Sequence, residues 1–229
     1  SGAFEPVTAP QLLDELEPVQ VEWVWEEFLP KGGLAALVAK PKVGKTTNAY
    51  ELAVKVAQGL PYLGRETCRG QVLILALEEH RREVRRRLRN LGADQIEEIH
   101  LHIGPLEDSP DTFHQLNTYI AAHGIILVIF DTLNTFWSVQ DENNATDVTR
   151  AIKPLLNLAR ESGAAILLLH HARKSEGEFG DEIRGSGALF SLLDIALILK
   201  RHEVQTRRKL TAISRYPETP SELIIELRE

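Results

Sequence analysis

The apolar residues of the chain fall into short continuous runs that alternate with longer amphipathic segments. Residues 34–39, 72–77, 125–130 and 164–169 are apolar at nearly every position, and none of these runs exceeds the length of a strand. A strand that is apolar on both faces is typical of the interior of a parallel sheet that helices cover on both sides. The runs therefore predict the central strands of such a sheet.

The segments between the runs have helical periodicity. Residues 48–58, 112–122 and 152–162 place their apolar residues three or four positions apart, and a glycine follows the last residue of each segment within two positions. Strands and helices in alternation predict an α/β fold, with a mostly parallel twisted sheet flanked by helices.

The two ends of the chain follow other patterns. Residues 195–201, 209–215 and 223–227 alternate enough to predict antiparallel strands that extend the sheet at its C-terminal end. Residues 1–20 are acidic and contain several prolines, which indicates an arm with one short helix before the core. We therefore expect an N-terminal arm over residues 1–20 and one domain over residues 21–229.

Three further segments give expectations about the surface. Residues 21–29 mix apolar and acidic side chains, which predicts an edge strand. Phe136 and Trp137 lie in a polar, irregular segment, and we expect both rings to be exposed above the sheet. Residues 81–89 contain six arginines, and we interpret them as a solvated helix face or a subunit contact in preference to a nucleic-acid surface.

The composition limits the classes of protein to which the chain can belong. Its 229 residues suffice for one large α/β domain, and its 43% hydrophobic content is ordinary for a globular protein. The formal net charge of −7 means that any nucleic-acid contact must come from a local basic surface. A single cysteine suits a reducing compartment, and no apolar run reaches the length of a membrane span, so we expect a cytoplasmic protein without membrane attachment.

The strongest motif follows residues 34–39. Gly44, Lys45 and Thr46 open a helix directly after a buried strand and a short loop, as in a phosphate-binding P-loop. In such a loop, backbone N–H groups surround the phosphates, the lysine contacts the β- and γ-phosphate oxygens, and the threonine hydroxyl ligates Mg²⁺. Ala39 stands at the place of the first glycine, so either the strand ends at negative φ or the loop is remodelled. The predicted nucleotide-binding residues are Ala39, Lys40, Pro41, Lys42, Val43, Gly44, Lys45, Thr46 and Thr47.

Carboxylates close two of the other buried strands, and the carboxyl ends of parallel strands meet at one edge of the sheet. Asp131 follows residues 125–130, and a carboxylate in that position is costly unless a cation compensates it. We expect Asp131 to bind Mg²⁺ together with Thr46, the alternative being an N-cap of the next segment. Glu78 and Glu79 close residues 72–77, and either could orient the attacking water; we favour Glu78.

Two adjacent histidines, His170 and His171, close residues 164–169. Neighbouring residues of a strand point in opposite directions, and neither histidine has a Cys or His partner at metal-ligand spacing. We therefore predict that the pair senses the γ-phosphate and does not bind a metal.

Taken together, these motifs give the chain a clear resemblance to known proteins. It resembles the RecA-type ATPases, in particular the plasmid RepA-like and DnaB-like hexameric helicases. The resemblance rests on the segments AKPKVGKTT, VLILALEE, IILVIFDT, ILLLHHARK, IRGSGALFSLLD and AISRYPET, which cover nearly the whole chain. It implies a RecA-like fold, ATP with Mg²⁺ as cofactors, and a ring-shaped homo-oligomer, most often a hexamer.

The resemblance also implies roles for individual residues. Glu78 takes the place of the family's catalytic glutamate, Asp131 that of its magnesium aspartate, and the histidine pair that of its sensor. Lys174 and Arg184 belong to a charged, glycine-containing loop that resembles the family's nucleic-acid-facing loop. Arg215 resembles the arginine finger offered to a neighbour's γ-phosphate, because nothing in cis near the P-loop supplies the guanidinium that neutralises the transition-state charge. Ile213 departs from the family, because the replicative helicases have a lysine there.

Three functions are consistent with these residues. The first is an Mg²⁺-dependent ATPase whose ring couples hydrolysis to movement on, or unwinding of, single-stranded nucleic acid. The second is a KaiC-like regulatory or scaffolding ATPase without helicase activity, which the net charge of −7 favours slightly. A P-loop kinase is the third, but it needs an acceptor pocket and a lid for which the sequence offers no candidate.

Overall fold

The computed structural model describes residues 5–14, 20–137, 139, 144–171 and 187–226. Within them the chain forms two sheets and seven helices. The strands are β1 Trp23–Trp25, β2 Leu29–Pro30, β3 Leu34–Ala39, β4 Gln71–Ala76, β5 Ile99–Ile103, β6 Ile125–Asp131, β7 Ala165–His171, β8 Ile195–Arg201, β9 Arg207–Ser214 and β10 Glu222–Glu226. The helices are α1 Ala9–Leu13, α2 Lys45–Gln58, α3 Arg81–Asn90, α4 Pro110–His123, α5 Leu133–Phe136, α6 Ala145–Ser162 and α7 Gly187–Leu192.

The larger sheet has the strand order β10-β9-β8-β3-β7-β6-β4-β5. Its six strands from β8 to β5 are parallel to one another, while β9 and β10 are added in antiparallel orientation. The fold is therefore the predicted α/β class, a mostly parallel RecA-like sheet with antiparallel strands at its C-terminal end. None of the helices in the described residues has the length and apolarity needed to cross a membrane.

The strand that leads into the P-loop lies in the middle of this sheet. Strand β3 is hydrogen-bonded to β7 on one side and to β8 on the other, and all six of its residues are buried. Its side chains alternate between the two faces: Ala35 and Leu37 pack in the layer beneath α2, while Leu34 and Ala36 pack in the layer beneath α6. Burial on both faces explains why this strand is apolar throughout.

Two expectations about the surface are wrong. Residues 21–29 are not an edge of the main sheet, because β1 and β2 pair with each other in a separate two-stranded sheet, to which Thr67 adds one bridge at Trp25. Trp25 packs into the core, where it stacks on Phe28. Phe136 and Trp137 are 3% and 6% exposed, because α5 turns both rings onto the sheet. A short apolar segment among polar neighbours does not show which side chains a tight helical turn will bury.

Candidate nucleotide-binding site

The P-loop connects β3 to α2 with the geometry that phosphate binding requires. Gly44 is the N-cap of α2 at φ 108°, and Lys42 also has a positive φ of 63°. Ala39 is the last residue of β3 and pairs with Leu199 and His171, so extended backbone continues through it. The left-handed turn is thus made later in the loop, at Lys42 and Gly44, and alanine in place of the first glycine costs no strain.

Two arginines from the C-terminal strands contact the backbone of this loop. The Arg208 Nε donates to the Val43 carbonyl at 3.0 Å, and Arg201 reaches the Lys42 carbonyl at 3.5 Å. The two arginines are directly opposite each other in the β8–β9 pair, a placement that is unfavourable for like charges unless other groups engage them. The last parallel strand, β8, and the antiparallel strand β9 beside it therefore both support the phosphate loop.

Two buried charged side chains meet beside the first turn of α2, Lys45 from that turn and Asp131 from the end of β6. Each has a polar atom without a hydrogen-bond partner among the described residues. Lys45 is 6% exposed and its Nζ has no hydrogen-bond partner among the described residues. Asp131 is 2% exposed; its Oδ1 accepts from the Thr46 hydroxyl at 3.3 Å, and its Oδ2 has no partner among the described residues. Buried polar atoms of native proteins are nearly always satisfied, so these two point to a ligand.

The ionisation of both groups reflects this burial. Desolvation lowers the pKa of Lys45 to about 8, against the opposing attraction of Asp131 and Glu78. Desolvation, followed by repulsion from Glu79, raises the pKa of Asp131 to about 6, against Lys45, Arg87 and the Thr46 hydroxyl. At neutral pH the site therefore holds a cation and an anion that water does not stabilise.

Glu78 lies on the open side of this pair. Its Oε2 accepts a hydrogen bond from the Thr132 hydroxyl at 3.3 Å and lies 3.9 Å from the His171 Nε2. Its side chain is 54% exposed. Burial, followed by repulsion from Lys45, lowers the pKa of His171, against Glu78, so the imidazole is neutral at pH 7. A carboxylate held in this way at the mouth of the site has the freedom to accept a proton from water.

Glu79 has a different environment, because an ion pair with Arg87 holds its side chain. Arg87 donates to the Glu79 Oε1 at 2.5 Å and to the Thr47 hydroxyl at 3.0 Å, and its guanidinium lies 5.4 Å from the centre of the Tyr50 ring. Burial and the nearby charge of Asp131 raise the pKa of Tyr50. Glu79 is thus tied to α3, while Glu78 is left to face the ligand.

The two histidines of β7 have separate environments. His170 is 1% exposed, and its ring meets the Trp137 ring edge-on at a centroid distance of 5.7 Å. His171 is part of the site, and its backbone N–H donates to the Asn134 side chain at 3.3 Å. Of the pair, His171 is the one that contacts Glu78.

Arg215 lies far from the P-loop of its own chain. It follows Ser214, which pairs with Ile195, the first residue of β8. Arg215 therefore lies at the amino ends of the parallel strands, whereas the P-loop lies at their carboxyl ends. There its guanidinium lies 3.5 Å from the Asp194 Oδ1 and donates to the Ser191 carbonyl at 3.1 Å. Three guanidinium groups of the same chain lie beside the P-loop, where Arg87 donates to the Thr47 hydroxyl and Arg201 and Arg208 donate to the Lys42 and Val43 carbonyls. Lys174 and Arg184 lie outside the described residues.

The donor atoms present suit a magnesium ion that is bound together with a nucleotide. No group of three His, Cys, Asp or Glu side chains in the described part of the chain could hold a metal by itself. Magnesium bound to a nucleoside triphosphate takes only one or two protein oxygens, the rest coming from phosphate and water. The Thr46 hydroxyl and the unsatisfied Oδ2 of Asp131 are oxygen donors of this kind.

Comparison with known families agrees with this geometry. A family model described as an AAA domain matches residues 3–177 of the chain. The chain belongs to this family. It is therefore a P-loop ATPase of the AAA-domain family, and the match covers the P-loop, Glu78, Asp131 and both histidines.

The sequence interpretation missed the three arginines that contact the P-loop region. Arg87 lies three residues after the buried Val84 and four before Leu91, so helical spacing places it on the apolar side of α3. Arg81, three residues before Val84, has the equivalent position on the other side of the apolar face, so the spacing narrows the choice to two of the six arginines. Arg201 and Arg208 gave no comparable signal, because their role depends on which strand pairs with β3.

Proposed function

We propose that the chain is a magnesium-dependent ATPase that forms a ring, as a hexamer, and couples hydrolysis to translocation on, or unwinding of, single-stranded nucleic acid in the cytoplasm. The observation that carries the ATPase part is the convergence of Lys45, Thr46, Asp131 and Glu78 around the first turn of α2. Two of these side chains are buried with polar atoms left unsatisfied, as expected for a site that a charged ligand completes.

Each residue then has a role in positioning ATP. Lys45 neutralises the β- and γ-phosphate oxygens, and the N–H groups at the start of α2 receive the β-phosphate. Thr46 and Asp131 would hold Mg²⁺, which, when bound, neutralises charge between the two terminal phosphates. Glu78 orients the attacking water and takes its proton, while neutral His171 keeps Glu78 in place and responds to the γ-phosphate.

The ATPase part is tested by replacing Lys45. In Lys45→Ala, hydrolysis should fall below detection, while the far-ultraviolet circular dichroism stays that of the wild type, because the Lys45 Nζ makes no hydrogen bond to the described residues that the substitution would break. Lys153→Ala removes an exposed lysine on α6 and serves as the matched control. Phosphate release is the readout, and wild-type turnover in Lys45→Ala would remove the P-loop assignment.

The ring is supported by the position of Arg215, which cannot reach the P-loop of its own chain. We propose that it reaches a neighbour's γ-phosphate, a contact worth roughly 10³ to 10⁵ in kcat in related ATPases. Head-to-tail contacts of this kind close into rings or extend into filaments. Arg215→Ala should bind ATP and hydrolyse it poorly, and mixing it with Lys45→Ala should restore activity, because some interfaces then combine an intact P-loop with an intact arginine.

The competing role of Arg215 is structural, since it contacts Asp194 within its own chain. Complementation separates the two roles, because a chain that is merely unstable gains nothing from a partner that lacks Lys45. Mixtures with no activity above the sum of the two variants, or a wild-type rate per chain that is unchanged in strictly monomeric protein, would rule out the shared site.

The nucleic-acid part is supported by the resemblance to RepA-like and DnaB-like helicases and by the proposed roles of Lys174 and Arg184. Replacing both with alanine should weaken binding to a single-stranded oligonucleotide and flatten its salt dependence by roughly one to two units. The alternative is a KaiC-like scaffolding ATPase, which the net charge of −7 favours. Absence of binding to single-stranded DNA or RNA, with and without a non-hydrolysable ATP analogue, would favour the scaffold.

A further inference from the structure

Helix α3 contains the densest run of basic residues in the sequence, with six arginines between residues 81 and 89. Five of its arginines, Arg81, Arg82, Arg85, Arg86 and Arg89, are exposed, and the sixth, Arg87, turns inward to Glu79. The chain as a whole carries a net charge of −7, so this charge is local and opposes the overall field. A compact basic surface on an acidic protein is a candidate binding site for a polyanion.

Most of this charge is not used within the chain. Arg81, Arg82 and Arg85 have no hydrogen bond or ion pair to any described residue, while Arg86 pairs with Glu83 and Arg89 with Asp94 at 3.6 Å. The Arg86 and Arg89 side chains keep 67% and 70% exposure, so solvent screens even those two ion pairs. The guanidinium groups are therefore free to exchange water for another anion.

The spacing of these arginines suits an extended chain of phosphates. Arg81, Arg85 and Arg89 follow one another at four-residue intervals, which places them in one row along the helix. Adjacent members of the row are about 6 Å apart along the axis, because each helical residue rises about 1.5 Å. Successive phosphates of an extended single strand are separated by a comparable distance, so each arginine can meet one phosphate.

The composition of the surface favours nucleic acid over an acidic protein. Protein interfaces are anchored by buried apolar or aromatic side chains, with charges at the rim. The apolar residues of α3 do not supply such an anchor: Val84 is fully buried, Leu88 is half-buried against the core, and none of the exposed large hydrophobic side chains of the described chain lies on this helix. A phosphate backbone requires only the charge.

We propose that the arginine row of α3, defined as Arg81, Arg85 and Arg89, binds the phosphate backbone of single-stranded nucleic acid. This surface is separate from the loop that contains Lys174 and Arg184, and it adds a second contact to the proposed nucleic-acid function on which it rests. Only His80 separates Glu79 from Arg81, so the row begins next to the carboxylates of the ATPase site. The Arg81 end of the row therefore lies at the same edge of the sheet as the nucleotide site.

The test is a salt titration of the full-length protein with a fluorescent oligothymidylate. The triple variant Arg81→Gln, Arg85→Gln and Arg89→Gln keeps helix-forming residues and removes three charges. Each phosphate contact contributes about 0.7 to the slope of log affinity against log salt, so the slope should become flatter by about 2. The matched control is Arg69→Gln, Arg150→Gln and Arg207→Gln, which removes the same charge from arginines that pair with Glu98, Asp147 and Glu226.

The outcomes separate this inference from the proposed function. Flatter salt dependence in the α3 variant alone, with basal ATP hydrolysis unchanged, supports the row. Equal slopes in the α3 variant and the wild type overturn it. An equal flattening of the slope in the two triple variants also overturns it, because the effect would then come from net charge and not from the position of the arginines. If the wild type binds the oligonucleotide and only Lys174 and Arg184 matter, the proposed function stands and the arginine row fails; no binding by the wild type removes both.

Discussion

Two aspartates of this protein are equally buried and have opposite surroundings. Asp131 and Asp194 are each 2% exposed, one at the carboxyl edge of the sheet and one at the opposite edge. Asp194 accepts two bonds from Arg160, at 2.7 and 2.9 Å, and one from the Leu34 N–H at 2.9 Å. Asp131 has one 3.3 Å bond from Thr46 and one oxygen without a partner among the described residues.

The difference shows how burial alone fails to distinguish a structural carboxylate from a functional one. The protein compensates the charge of Asp194, and Arg160 extends the same set of bonds to the Gly32 carbonyl at 2.8 Å, just before β3 begins. For Asp131 the compensation is incomplete, and the raised pKa of about 6 reflects that. Asp194 and Arg160 fix the start of β3 at the amino edge of the sheet. At the carboxyl edge, Asp131 keeps an oxygen that a ligand can satisfy.

The largest expected effect separates the two aspartates by stability. Asp194→Asn should lower the free energy of unfolding by about 3 kcal/mol, the low end for a broken buried ion pair, because Arg160 is partly exposed and solvent screens it. Asp131→Asn should stay within about 1 kcal/mol of the wild type without nucleotide, because the carboxylate it removes is poorly compensated. Urea unfolding of the nucleotide-free protein provides both values, and equal losses would contradict the distinction.

A smaller effect separates the two adjacent glutamates. Glu78→Gln should retain ATP affinity and lower kcat about 10²-fold, because an amide cannot take the proton of the attacking water. Glu79→Gln should have the weaker effect, since Glu79 is bonded to Arg87 and reaches the nucleotide only through Thr47. Steady-state phosphate release measures both variants, and the reverse order would mean that Glu79 is the base.

The smallest effect concerns the pH dependence of ATP binding and follows from the ammonium group of Lys45. Its pKa in the free protein is lowered to about 8. A bound triphosphate favours the protonated form, so ATP affinity should be constant below about pH 7 and fall as pH rises through 8, by at most about tenfold per unit. Calorimetry in buffers of different ionisation enthalpy should detect proton uptake above pH 8. Lys45→Ala should bind more weakly throughout and lack this dependence.

The sequence was sufficient for the fold class and for the convergence of the site. Continuous apolar runs identified β3, β4, β6 and β7, and the rule that ligands bind at the carboxyl ends of parallel strands brought Lys45, Asp131 and Glu78 together. Both signals are local in the chain and need no knowledge of strand order.

Features that depend on tertiary neighbours could not be predicted in this way. The sequence leaves the choice between Glu78 and Glu79 open, and their contacts, Glu78 with Thr132 and Glu79 with Arg87, distinguish them. The burial of Trp137 depends on the turn of α5 beside His170, and the small β1–β2 sheet depends on a pairing that no periodicity indicates. Each of these depends on contacts in the folded structure that the apolar pattern does not encode.

The support of the P-loop by Arg201 and Arg208 has a consequence for how the domain can be divided. The family match ends at residue 177, whereas β8 and β9 begin at Ile195 and Arg207. A fragment cut at the end of the match would lose both guanidinium contacts to the loop and would leave β3 with one neighbour. The backbone N–H and C=O groups along that side of β3 would then be unpaired, on a strand whose side chains are all apolar. They could pair with other chains, so the matched segment should aggregate when produced alone.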